Sequence, residues 1–286
     1  MAHTTGSLLQ PSSWRIAAAL LPGLLVGGLM LANGPIPQPL SYHDFADTRV
    51  LLGIPHAGNV LTNLAFFIVG GWGLWFLAQP NSSGRSFIDG RERRLFRYFF
   101  TGVFLTAFGS GWYHLEPDNY SLVWDRLPMA VAFMSIFAVM IAERVKLNIG
   151  VALLGPLVAI GVASVLWWIW TEHAGQGDLR WYLMVQFYPT LTIALMLLLL
   201  PTPYTRGNDY WGLFLFYAAA KVVEVLDHEI FNLSQGLVSG HNLKHLFAAA
   251  GAAWLLRMLW LRQARRPLIH RGSVLATAEV FSPEEE

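Results

Sequence analysis

IGVALLGPLVAIGVASVLWWIW, residues 149–170, runs for 22 positions without a charged side chain. As a helix it would be about 33 Å long, enough to cross the roughly 30 Å hydrocarbon core of a bilayer. This stretch sets the class of the fold. Seven more apolar runs lie around it: Ile16 to Ala32, Asn59 to Leu77, Leu95 to Tyr113, Leu122 to Ala142, Leu179 to Leu200, Tyr210 to Leu226 and His241 to Leu261. Composition agrees, with 55% hydrophobic and only 13% charged residues against the roughly 25% of soluble domains. The expected fold is all-α: a polytopic membrane helix bundle, a seven-helix core plus one extra N-terminal span.

Residues 1–35 hold the extra span. Arg15 precedes it and Asn33-Gly34-Pro35 ends it. Met30 and Ala32 would make a poor small-x-small cleavage site, so an uncleaved span is preferred to a signal peptide. Residues 36–58, with His43, Asp44, Asp47, Arg49 and His56, read as an external loop. Residues 59–262 form the seven-helix core and 263–286 a tail, basic and then acidic at Glu284-Glu285-Glu286, expected to be disordered. Pro128, Pro156 and Pro189 lie within spans, where neighbouring helices satisfy the freed carbonyls, and they suggest kinks around an internal cavity. Pro80-Asn81-Ser82-Ser83-Gly84 and Pro201-Thr202-Pro203 are turn-rich joints.

Lysine and arginine concentrate in alternate loops. One side carries Arg15, Arg85, Arg91, Arg93, Arg94, Arg97, Arg144, Lys146, Arg206, Arg257, Arg262, Arg265, Arg266 and Arg271; the other carries Arg49, Arg126 and Arg180. Cytoplasmic loops hold the excess, so both termini are expected in the cytoplasm. Trp112, Tyr113, Tyr120, Trp124, Trp167, Trp168, Trp170, Trp181 and Tyr182 then read as an aromatic belt at the outer interface. Net charge is +1, which gives no reason to expect a nucleic-acid partner. Cysteine is absent, so any metal must be held by His, Asp, Glu or hydroxyl groups.

His241-Asn-Leu-Lys-His245 heads the last run. Residues four apart share a helical face, so both imidazoles can address one ion. Nine histidines in 286 positions give roughly 0.3 such pairs by chance, so context must decide. In the inferred topology Ser110-Gly-Trp-Tyr-His114 ends the third span outside and Trp124-Asp125-Arg126-Leu127-Pro128 begins the fourth there. Three helices thereby deliver His114, His241, His245, Asp125 and Ser110 to one membrane depth. Three histidines suit zinc with a fourth position open to water, the arrangement of catalytic sites. Asp125 could then move a proton and Ser110 could hydrogen-bond an oxyanion, which suits hydrolysis of an acyl bond.

Plainer readings stand beside these. The histidines could be satisfied by hydrogen bonds across the bundle, His114 could favour a helix C-terminus, and Asp125 could pair with Arg126 or Lys244. Lys221, Glu224, Asp227 and His228 read as polar groups of the seventh span, with an ion-pair and hydrogen-bond ladder through Lys221, Glu224 and His228. His228 is the reserve fourth ligand. His3, His173 and His270 receive no role.

Ser110-x-x-x-His114, Asp125 eleven residues later and His241-x-x-x-His245 together resemble the signature of the alkaline ceramidase family, seven-helix membrane hydrolases related to the adiponectin receptors. Asn59-Val-Leu-Thr-Asn63 is similar to that family's Asn-x-x-Ser-Asn segment. The resemblance spans runs two to eight. It implies that His114, His241 and His245 bind zinc, that Asp125 handles the proton, that Ser110 supports the tetrahedral intermediate, and that the substrate is an amide-linked membrane lipid entering from the bilayer. The family's calcium-binding acidic loop corresponds to residues with His43, Asp44, Asp47 and His56 here, which leaves calcium doubtful. The expectation is a ceramidase-like zinc amidase in a bacterial plasma membrane, its metal site towards the outer face. A lipid esterase or phospholipase using the same site, and a transporter or receptor-like bundle with a structural metal, are the alternatives.

Overall fold

The computed structural model describes residues 11–79 and 86–265; the Pro80–Gly84 joint, Arg85, Arg266, His270, Arg271, His3 and the acidic tail lie outside them. Among the described residues there are helices and two isolated bridges, and no strand. The helices are α1 (Ser13–Ala32), α2 (Ala57–Thr62), α3 (Leu64–Ala78), α4 (Gly90–Leu115), α5 (Leu122–Arg144), α6 (Leu147–His173), α7 (Arg180–Leu199), α8 (Tyr210–Val225), α9 (Asp227–Leu233) and α10 (Gly240–Leu261). Each of the eight apolar runs is helical, and the second is interrupted at Asn63.

Five helical segments are long and apolar enough to cross a membrane: α1, α2 with α3, α5, α6 and α7. This marks the chain as a membrane protein. The other three runs carry more polar residues: α4 opens with Arg91, Glu92, Arg93 and Arg94, α8 has only 16 residues and includes Lys221 and Glu224, and α10 contains His241, Lys244, His245 and Arg257.

α5 is the central helix, with 72% of its most apolar window buried against 17% for α1. It packs on α4, α6 and α7, while α3 lies against α4 and α8 against α10. α1 leans on α7 outside this core. A Cβ at Gly27 would stand 2.1 Å from Met184 Cε, so the glycine leaves the space that this flexible side chain fills. Pro22, Pro128, Pro156 and Pro189 all lie inside continuous helices, as bilayer helices allow.

Two expectations need correction. The seventh span stops at Val225, and Asp227 and His228 belong to the separate short helix α9. Leu226 departs from helical geometry at φ −94°, ψ 27°, so the spacing from Glu224 to His228 no longer describes one face. The aromatic belt is also divided. Trp112, Tyr120, Trp124, Trp167, Trp170 and Trp181 are exposed, whereas Tyr113, Trp168 and Tyr182 are buried. Each buried ring neighbours an exposed one in sequence, and consecutive helical residues point about 100° apart. One anchors outward and the other packs inward.

Candidate metal centre

α4 ends, and α5 and α10 begin, at the same end of the bundle. His114 lies in the last turn of α4, Asp125 in the first turn of α5, and His241 and His245 in the first two turns of α10. The start of α10 is fixed by a reciprocal capping box: Ser239 Oγ accepts from the Asn242 N–H, and Asn242 Oδ1 from the Ser239 N–H, both at 3.1 Å. Asp227 Oδ1 accepts the next free donor, the His241 N–H, at 2.6 Å. Asn242 Nδ2 reaches Asn59 Oδ1 at 2.6 Å and ties α10 to α2.

His114, His241 and His245 are each at most 3% exposed, and one ring nitrogen from each lies within 4.8 Å of the others. Nε2 of His114 and Nε2 of His241 are 3.2 Å apart. Nδ1 of His245 meets Thr62 Oγ1 at 2.9 Å. None of the three rings hydrogen-bonds a carboxylate among the described residues, so charge compensation between acid and imidazolium does not explain the cluster. Three converging imidazoles are instead a set that could hold a divalent transition metal. Phe45, from the 33–56 loop, covers the group, its ring centroid 4.7 Å from that of His114 and 4.4 Å from that of His241. The loop is pinned by the Ala46 N–H to Asp227 Oδ2 at 2.9 Å.

Asp125 and Ser110 are 6% and 1% exposed, and with His245 they line a cavity of about 470 Å³. Its apolar lining includes Phe99, Val103, Phe133, Ile136, Phe187 and Ile193. The volume is that of a ligand site. Lys221 and Lys244 also face it, both bound to Glu224, at 2.8 and 3.1 Å.

The three histidines read from the sequence therefore meet at one place, and Ser110 and Asp125 line the cavity that His245 also lines. His228 does not join them: its Nε2 is 3.2 Å from the Asp44 carbonyl, and Glu224 pairs with the two lysines. In the loop, His43 is held by Tyr113 Oη and Asn119 Oδ1, both at 2.8 Å. Asp47 is fully buried on Arg49; burial opposes its ionisation, but the Arg49 hydrogen bonds and charge outweigh that and keep its carboxyl below the usual range. His173 stacks near Tyr120. Thr62 and Phe45 support the centre without having been singled out from sequence, and Asp227, read there as a polar group of the seventh span, instead holds the start of α10 and the loop. Thr62 sits inside the Asn59–Asn63 segment, three residues from Asn59, and that spacing was the available signal. No model of a known protein family matches the chain, and no curated protein matches it.

Proposed function

We propose that the protein is a ceramidase-like intramembrane hydrolase that cuts the amide bond of a membrane lipid at a zinc site of His114, His241 and His245. The observation that carries this reading is the convergence of three buried histidines, one of which, His245, lines an apolar cavity together with Ser110 and Asp125. Nitrogen ligands of a tetrahedral zinc stand about 3.3 Å apart; Nε2 of His114 and His241 are 3.2 Å apart, and a nitrogen of each of the three rings lies within 4.8 Å of the others. When bound, zinc supplies Lewis-acid polarisation of the carbonyl and acidifies water towards neutral pH.

The chain's own groups do the rest. Asp125 receives the proton lost by the attacking water and returns it to the departing nitrogen; a C–O bond forms, the C–N bond breaks, and a fatty acid and an amine result. An amine cannot leave unprotonated, so a carboxyl placed to move that proton favours amide over ester. Ser110, which lines the cavity with Asp125, can donate its one proton to the developing oxyanion. Phe45 keeps bulk water from the histidines, and the apolar walls receive the acyl chain. The arginine and lysine asymmetry supports cytoplasmic termini, with the site towards the outer face of a bacterial plasma membrane.

The test is elemental analysis of the purified chain with assay of fatty acid release from N-acyl lipids and from matched esters. Wild type should hold one zinc, and His241→Ala with His245→Ala none. Asp125→Asn should retain zinc and lose roughly 10²–10⁴ in turnover. A folded wild type without zinc, or hydrolysis unchanged in Asp125→Asn, overturns the reading.

A further inference from the structure

Arg126 follows Asp125 on α5 and lines the same cavity, yet it is only 6% exposed. Nη2 donates to Gln38 Oε1 at 2.5 Å, and the guanidinium lies over the rings of Trp168 (4.3 Å), Tyr182 (4.8 Å) and Tyr42 (5.7 Å). Nη1 is buried and has no hydrogen-bond partner among the described residues. Among the described residues no carboxylate lies within ion-pair distance of it. Arg262 has Glu143 at 2.5 Å and Arg144 donates to two backbone carbonyls; each also has one buried nitrogen without a hydrogen-bond partner among the described residues, so what sets Arg126 apart is that it faces the cavity with a single acceptor and no carboxylate. Aromatic faces stabilise the plane of a guanidinium, whereas its N–H edge requires acceptors. In Arg126 that edge is incomplete.

The cavity as a whole is cationic at its polar end. Arg126, Lys221 and Lys244 face two carboxylates, Asp125 and Glu224. Its two directions also differ. Ile136 lies eleven residues along α5 from Asp125 and Ile193 eleven along α7 from Tyr182, about 16 Å in each case, and both belong to the apolar part. Gln38 and Tyr42, on the loop side, share Arg126's end. An acyl chain lying against Ile136 and Ile193, with its amide at Ser110 and Asp125, would direct its amine half towards Arg126.

Resting on the hydrolase reading above, we infer that the amine half of the substrate carries an oxyanion, a carboxylate or a phosphate, bound by the free edge of Arg126. A guanidinium fork matches either group in charge and bidentate geometry, whereas the hydroxyl of a neutral amino alcohol offers one uncharged acceptor.

The experiment measures binding to the full-length wild-type protein, as purified in detergent, of three acyl-matched probes in which a ketomethylene replaces the amide so that none is cleaved. One ends in a carboxylate, one in a phosphate and one in a neutral hydroxyl. At least one charged probe should bind roughly tenfold tighter than the neutral one, the scale of a charge-assisted hydrogen bond, and which one identifies the oxyanion. Arg126→Gln should abolish the preference and leave neutral-probe affinity unchanged, which also reports an intact cavity. Equal binding of all three by wild type, or a preference that persists in Arg126→Gln, overturns the inference. If the variant does not fold, the wild-type ratio decides. A charged-probe preference without cleavage of any N-acyl lipid would sink the hydrolase reading alone, and cleavage without preference would sink only the inference.

Discussion

Thr62 Oγ1 stands 2.9 Å from Nδ1 of His245 and 2.8 Å from the Gly58 carbonyl four residues back. A hydroxyl has one proton, and a carbonyl can only accept, so that proton goes to Gly58 and Oγ1 accepts from His245 Nδ1–H. The tautomer is thereby set with the Nε2 lone pair free. Groups behind a ligand commonly change metal affinity by about 10–100-fold when removed. Thr62→Val should weaken zinc binding by that factor, whereas Thr62→Ser should restore it. Competition against a chelator of known affinity measures both, and unchanged affinity in Thr62→Val would remove this role.

Gly109 controls how closely α4 approaches α5 beside the site. A Cβ there would lie 1.9 Å from the Trp124 carbonyl and 2.7 Å from its carbon, backbone atoms that cannot swing aside. Gly109→Ala must separate the helices next to Ser110 and Asp125, an overpacking worth about 1–3 kcal/mol. The expected result is a lower Tm together with a fall of about 10²-fold in turnover, since misplacement near 1 Å has that effect on a positioned group. Gly111→Ala, where a Cβ meets nothing within 4 Å, is the control that should change neither.

At the opposite end of the bundle Arg262 is 1% exposed and joins three helices and a loop. Nη1 meets Glu143 at 2.5 Å, Nη2 lies 3.7 Å from Glu92, and Nε donates to the Ser86 carbonyl at 2.7 Å. Tyr204 Oη donates to Glu92, and Tyr210 Oη to Glu143 at 3.0 Å. Removing one member of a buried charged set leaves the others unpaired, at a cost of about 3–5 kcal/mol. Arg262→Met should therefore lower stability by that amount in denaturant or thermal scans. Seventeen residues, about 25 Å, separate it from His245 along α10, so the zinc content of the folded fraction should not change.

The helices and the histidine cluster were legible because both depend on local spacing. Apolar runs of spanning length reveal a bilayer helix directly, and four-residue intervals place Ser110 with His114 and His241 with His245 on single faces. What could not be read are relationships between distant segments. Arg144 and Arg262 look like ordinary cytoplasmic anchors in sequence, yet both are buried, because acids or carbonyls on other segments await them. The charge of Lys244 was visible, but its sharing of Glu224 with Lys221 depends on the α8–α10 contact. Trp168 and Tyr182 resemble interfacial anchors until the stacking on Arg126 is known. No glycine or proline announces that Asp227 and His228 begin a separate helix.

Asp178 and Arg180 join the first span to the core. The carboxylate accepts from Arg180 Nε and Nη2, both at 2.8 Å, while Nη1 of Arg180 donates to the carbonyls of Leu31 and Asn33 at 3.0 and 2.5 Å. The Leu179 N–H adds a bond to the Ile36 carbonyl at 2.8 Å. Arg180's hydrogen bond, opposed by burial, lowers the Asp178 carboxyl from its ordinary 3.8 to about 2. A depressed carboxylate pKa stabilises the folded chain above the unfolded value, and the contribution fades as pH falls through the folded value. Attachment of α1 should thus weaken between about pH 4 and pH 2. Cleavage by a protease active at acid pH, in the linker after Asn33, should accelerate across that window in wild type. In Asp178→Asn it should already be fast at pH 4 and change little below it. A wild-type rate flat between those pH values would show that this carboxylate does not hold the span.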